Sequence, residues 1–411
     1  MSTLTPISAN RIQSVDALRG FALAGIVLVH MVENYIGGPT PEGVMPSGDG
    51  VLNGATFFII EFFLRGKFFA LFSFLFGLSF FIQLNNAEQR GQNLSGRFFW
   101  RLLLLLGIGY VHHLFYRGDI LTIYAVIGMV LIPFYRMSNR WLWVLFSALM
   151  LGAGRFLIFG TVGTGNLFIP FEMGPQSPEI AAYFETLRSG TLWEVWQTNA
   201  TQGHIMKADF QLGVFGRAYL TLGFFILGLL AGRYGFFQNF QEKRKLWRKR
   251  LFWCMGLFLL SGLATGLFFS IANSSPGEGG GFGFSNIWHM LGLTGMDMAN
   301  FWMFSILVIG FLLLFGQANW RQRLMVFAPY GRMALTNYLL QTLIGTFLLF
   351  GWGLGYIGQW PAYQTFFIGL LIIVVQVIAS KWWLTHFRFG PVEWLWRSLT
   401  YFKWYDFKKG N

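Results

Sequence analysis

"RGFALAGIVLVH", residues 19–30, opens with a guanidinium, closes with an imidazole, and carries only apolar side chains or glycine between them. Within the longer run 17–36 it has the length a helix needs to cross a hydrocarbon layer, about 20 mostly apolar residues. At ~100° per residue, the interval from Arg19 to His30 is three turns plus ~20°, so both side chains leave one face, ~16 Å apart along the axis. An ionisable side chain at membrane depth is costly, which makes each of these a candidate functional group.

The rest of the chain extends this reading. Of 411 residues, 55% are hydrophobic and 11% charged, and 48 are Phe. A soluble domain cannot cover that much apolar surface with polar groups. The sequence therefore predicts an all-α, polytopic transmembrane bundle forming a single integral membrane domain over residues 1–411. The net charge of +13 does not point to nucleic acid, because the Lys and Arg residues cluster between apolar runs. The lone Cys254, inside an apolar run, excludes an intramolecular disulfide and a Cys-rich metal site.

Ten spans are expected, near 17–36, 67–84, 97–117, 119–136, 140–160, 213–233, 250–273, 287–316, 329–350 and 362–382. Residues 51–64 are too short to span and read as an amphipathic surface helix, with a broken second span as the alternative. Segments 37–50, 274–286 and 351–361 contain no Lys or Arg, whereas the basic loop 234–250 and the tail 383–411 are rich in them. The positive-inside rule then puts both termini, that loop and that tail in the cytoplasm, and makes 161–212, with Glu172, Glu179, Glu185, Glu194 and Asp209, a larger extracytoplasmic loop. The Gly-rich segment 273–285 lacks the strand–loop–helix context of a phosphate-binding loop and reads as a flexible connection.

A second set of ionisable residues lies in "GYVHHLFYRGDIL", residues 109–121. His112, His113 and Asp119 fall at about the depth of His30. Adjacent histidines on a helix diverge by ~100°, so at most one of them, His112 for preference, shares a site with His30. Gly118 suits a tight turn between helices, and Asp119 suits either a helix cap or a partner that orients an imidazole. Asp297 is a further intramembrane carboxylate. Asn337 and Gln341 are one turn apart and suit interhelical hydrogen bonding. Glu393 and Arg397 are spaced for a surface ion pair. No spacing matches a metal site.

The ordered blocks "DALRGFALAGIVLVH", "GKFFALFSFLFG", "GYVHHLFYRGDILTIYAVIG", "GRMALTNYLLQ" and "GPVEWLWR" resemble the YeiB-like family of bacterial membrane proteins over nearly the whole chain. More distantly, that family is similar to the transmembrane acyltransferase superfamily, which includes heparan-glucosaminide N-acetyltransferase. There, an Arg and a His with ten residues between them on the first helix form a functional signature, which Arg19 and His30 match. The resemblance implies a multi-pass protein of a bacterial inner membrane that takes an acyl-CoA donor, most plausibly acetyl-CoA, from the cytoplasm. The acceptor would be a small molecule or glycan in the membrane or beyond it. Arg19, Arg97, Arg101 and Arg140 would then neutralise CoA phosphates, and His30, His112, His113 and Asp119 would carry the acid–base chemistry.

Membrane lipids are expected partners, and the Phe-rich faces allow a homodimer. A proton-coupled transporter or exporter of an anionic or lipid-like compound would use the same buried groups as a proton relay. A purely structural scaffold would leave the histidines without a purpose.

Overall fold

In the computed structural model, residues 12–44, 50–91, 95–163, 167–169, 174–274 and 286–409 are described. The Gly-rich loop, from 275 to 285, and Glu172 lie outside them. Among the described residues there is no β-strand, only an isolated bridge between Phe387 and Lys408. Eighteen α-helices among the described residues account for the architecture. The first half contains α1 (Gln13–Val32), α2 (Val51–Ile59), α3 (Lys67–Glu88), α4 (Ser95–Phe115), α5 (Leu121–Phe134), α6 (Asn139–Met150), α7 (Ala153–Val162), α8 (Pro178–Ser189) and α9 (Leu192–Thr198). The second contains α10 (His204–Leu212), α11 (Arg217–Arg233), α12 (Arg244–Asn273), α13 (Ile287–Phe315), α14 (Ala318–Leu324), α15 (Phe327–Arg332), α16 (Ala334–Leu349), α17 (Ala362–His386) and α18 (Pro391–Tyr401).

Among the described residues, six helical stretches are long and apolar enough to cross a membrane, or eight if the bent pairs α6–α7 and α9-to-α11 each count as one span. Two shorter apolar helices, α5 and α16, occupy the remaining expected positions. The protein is thus a polytopic helical membrane bundle. Residues 51–88 form one apolar run: α2, a π turn at Ile60–Leu64, then α3, with a break at Arg65–Gly66 where Gly66 takes φ +80°. The alternative given for 51–64, a broken second span, matches this run, and α2 leaves Val51, Leu52 and Phe58 exposed.

α1 sits at the centre, packed by α3, α13, α15, α16 and α17. Its approach to α15 is backbone on backbone: a Cβ on Gly20 would lie 2.1 Å from the Phe327 carbonyl oxygen, and one on Gly331 would lie 2.1 Å from that of Asp16. α3 and α11 cross equally closely, through Gly77 against Phe225 and Gly228 against Phe74. In lipid, where burial of apolar surface gives helices little reason to associate, such close van der Waals contact is a main source of cohesion.

This arrangement gives the bundle two ends. α1, α4 and α16 begin at one, marked by Arg19, Arg101 and Arg332. α1 and α4 finish at the other, marked by His30 and His112.

Candidate active site

Asp119 organises the histidine end. It lies just before α5, and its carboxylate accepts the backbone N–H groups of Leu121 (3.0 Å) and Thr122 (2.9 Å), capping that helix. The same carboxylate accepts from His112 Nδ1 at 2.8 Å and from Lys207 Nζ at 3.2 Å. The cap and the orienting partner are therefore one residue. A carboxylate accepts only, so His112 carries its proton on Nδ1, and its Nε2 lone pair faces away from Asp119. That Nε2 is buried and has no hydrogen-bond partner among the described residues. An imidazole in this tautomer, backed by a carboxylate, has the arrangement needed to accept a proton at Nε2.

His30 and His112 share their surroundings. The His30 ring lies 5.0 Å from that of Tyr116 and 6.5 Å from that of Tyr338, and His112 lies 6.4 Å and 4.8 Å from the same two rings. His30 Nδ1 is also buried and unpartnered among the described residues. His113 points elsewhere, as the ~100° offset requires. Its Nε2 lies 2.9 Å from the Asn199 carbonyl oxygen, and its Nδ1 is 3.5 Å from Lys207 Nζ.

The partners of His113 come from a place that sequence reasoning did not assign to the site. The stretch 161–212 contains α8, α9, a π turn at Asn199–Gly203 and α10, and its last part folds back onto the histidines. Lys207 is buried against Asp119 and donates to Thr122 Oγ1 at 2.6 Å. Asn199 is fully buried, donates from Nδ2 to the Leu114 carbonyl (2.8 Å), and accepts from the Tyr183 hydroxyl. Gly118, read as a turn glycine, does not take a positive φ. Its need is steric, since a Cβ there would meet the Tyr116 ring at 2.3 Å.

From the opposite end, a cavity of about 290 Å³ leads inward. Arg19, Arg101, Arg332 and Glu393 stand at its polar end, Phe and Leu side chains form its walls, and Leu121 and Tyr338 also line it. The Tyr338 ring, which lines this cavity, lies 4.8 Å from the His112 ring at a tilt of 42°, so one side chain touches both cavity and imidazole. Arg332 also lines a second, wider vestibule of about 1070 Å³ together with Asp16 and Arg321. Arg19 is steadied by Asp16 (3.2 Å) and by Ser79 Oγ (3.0 Å). Arg101 lies 3.8 Å over the Trp396 ring.

Other candidates fall outside. Arg97 is exposed and stacks on Tyr401, and Arg140 is exposed at the start of α6; neither lines the cavity. Asp297 is paired with buried Arg155, which also donates to the Val214 carbonyl (2.6 Å) and Thr294 Oγ1 (2.7 Å), a lock between α7 and α13. Asn337 donates to Ser380 Oγ at 2.9 Å, while Gln341 accepts from the Tyr35 and Tyr330 hydroxyls at its backbone and side-chain oxygens. These are interhelical bonds.

Glu393 forms no ion pair with Arg397 among the described residues. It is instead folded under α16, accepting from the N–H groups of Leu335 (2.7 Å) and Thr336 (3.0 Å), while Arg397 stacks over Tyr405. Burial pushes the Glu393 carboxyl above its usual range, against those hydrogen bonds. Among the described residues no group of three or more His, Cys, Asp or Glu is arranged to hold a metal ion.

A family profile described as "Protein of unknown function (DUF418)" matches residues 231–403. An uncharacterized 39.9 kDa protein from the amylase 3′ region of Bacillus acidopullulyticus is 30% identical over 404 residues, 97% of this chain and 96% of the relative. The chain belongs to the YeiB-like DUF418 family. The uncharacterized protein YxaH of Bacillus subtilis (strain 168) is 29% identical over 424 residues, covering 100% of this chain and 99% of its own length. The uncharacterized protein YeiB of Escherichia coli (strain K12) is 25% identical over 417 residues, 94% of this chain and 95% of YeiB. The segment matched by the DUF418 profile supplies Tyr338, Arg332 and Glu393, whereas His30, His112, Asp119 and Lys207 all precede it.

Proposed function

We propose that this DUF418 chain is a membrane acyltransferase that moves an acyl group, most simply acetyl, from CoA to a hydroxyl or amine acceptor. The observation that carries the reading is His112, with Nδ1 held by Asp119, an Nε2 that is buried and unpartnered among the described residues, and a ring 4.8 Å from that of Tyr338, which lines the cavity. The donor enters at the arginine end, which in this reading faces the cytoplasm of a bacterial inner membrane. Its phosphates lie against Arg332, Arg321 and Arg19, and its thioester arm follows the apolar cavity toward Tyr338. The acceptor reaches the histidine end from within the membrane or from its far side.

The chemistry balances on one imidazole. His112 Nε2 takes the proton of the acceptor O–H or N–H as that atom bonds to the thioester carbonyl carbon. The C–S bond then breaks, and the leaving thiolate recovers the proton from the imidazolium, which Asp119 stabilises meanwhile. His30, facing the same two tyrosines, is placed to orient the acceptor.

The test uses the full chain in detergent with acetyl-CoA. Calorimetry is expected to show donor binding, weakened at least tenfold by Arg332→Ala and unchanged by His112→Gln. Labelled transfer to an acceptor panel should fall by about 10²–10⁴ in His112→Gln. Absence of donor binding by the wild-type chain would overturn the proposal and favour the proton-coupled exporter, which liposome flux would then register.

A further inference from the structure

We propose that a second cavity, between α3, α11, α12 and α13, is a binding site for one anionic phospholipid. It measures about 420 Å³ and shares no lining residue with the cavity that leads to Tyr338. The site is therefore independent of the acyl-transfer reading.

The lining is divided by chemistry. Phe74, Leu230, Phe301 and Phe304 make an aromatic and aliphatic wall suited to an acyl chain. Asn239, Lys243 and Arg250 stand at the other end, and no carboxylate lines the space. Both cations are exposed, and neither takes part in any ion pair among the described residues. The Arg250 guanidinium is 4.5 Å above the Trp247 ring, which fixes where its donors point. Lys243 precedes α12 and Arg250 lies in its second turn, so the two charges are ~10 Å apart along the axis.

Two separated cations with an amide beside them match a phosphodiester and its glycerol, a larger target than a lone carboxylate. Beyond its basic start, α12 presents Phe252, Trp253 and Leu263 outward, 70%, 65% and 74% exposed, an apolar face suited to lipid on the helix that also lines the cavity.

The experiment is native mass spectrometry of the full chain released from detergent, with phosphatidylglycerol and phosphatidylcholine of identical acyl chains. The wild-type chain is expected to retain one phosphatidylglycerol with about tenfold preference over phosphatidylcholine. Lys243→Gln with Arg250→Gln should abolish the preference, and Ser305→Leu, which fills the apolar part, should reduce retention of both lipids. Lys245→Gln with Lys249→Gln removes the same charge from the same segment outside the cavity and should leave the preference intact. Equal retention of the two lipids by the wild-type chain overturns the proposal. So does an equal effect of the Lys245/Lys249 pair, which would mean a diffuse basic surface, and so does palmitate retained as well as phosphatidylglycerol, which would mean a free-acyl site.

Discussion

Replacing Asp119 by Asn removes one charge and almost no volume. In the native structure that carboxylate takes hydrogen bonds from His112, Leu121, Thr122 and Lys207, and the ion pair with Lys207 is buried on both sides. Removing one partner of a buried pair costs about 3–5 kcal/mol, because the other charge stays behind without compensation. Here Lys207 keeps its bond to Thr122 Oγ1, and an amide oxygen still caps α5, so the lower end, about 3 kcal/mol, is expected. Asp119→Ala also loses the cap, adding about 1 kcal/mol. The Asp119→Asn/Lys207→Met double variant removes both charges and should recover about 2 kcal/mol relative to the single one. Unfolding followed by tryptophan fluorescence in a denaturing-detergent titration gives all three values and the coupling energy. A single variant within about 0.5 kcal/mol of wild type, or a coupling near zero, would refute the view that Asp119 and Lys207 hold α10 to the histidines.

Gly20→Ala pushes a methyl against the Phe327 carbonyl and should cost about 1–3 kcal/mol in the same titration. Gly107→Ala, where a Cβ meets nothing within 4 Å, should be neutral or stabilising. Arg155→Met strands buried Asp297 and is expected to destabilise by about 3–5 kcal/mol while leaving acetyl-CoA affinity unchanged, which calorimetry on the folded fraction checks.

Glu393→Gln should show a pH signature. With its folded pKa raised, the wild-type carboxylate favours folding less as pH climbs through that value, so the neutral variant gains relative stability at high pH. The advantage shrinks as pH falls and Glu393 takes up a proton. An advantage independent of pH would contradict the burial argument.

Much of this was legible in residues alone. Apolar run length gave the helices because backbone hydrogen bonds in lipid must close within a segment, and the ~100° offset in "GYVHHLFYRGDIL" limited the neighbour of His30 to at most one of two histidines, without deciding which. The arginines were harder. Arg97 and Arg140 have the right charge at the right end, yet their helix faces turn outward, and only packing decides that. Arg332 was hidden inside "GRMALTNYLLQ", where Gly331 brings α15 against α1 and so delivers the next residue to the cavity.

Lys207 was missed because acidic neighbours made its whole stretch look like a surface loop. A four-residue spacing of Asn199, Gly203, Lys207 and Gln211 was the available signal, and all four are buried. The Glu393–Arg397 spacing misled because a buried helix start offered the carboxylate a better partner than solvent did.

Asp119 begins a helix, sets the tautomer of an imidazole and neutralises a lysine from a distant part of the chain, all with two oxygens. Such a residue constrains inheritance as much as chemistry. A lineage could not exchange Asp119 first without losing three functions together, nor Lys207 first without leaving a buried negative charge. Descendants that lost the His112–Asp119 pair would have to pass through variants in which Lys207 and Asp119 change together, or nearly so, and their loss should appear in relatives as a paired event.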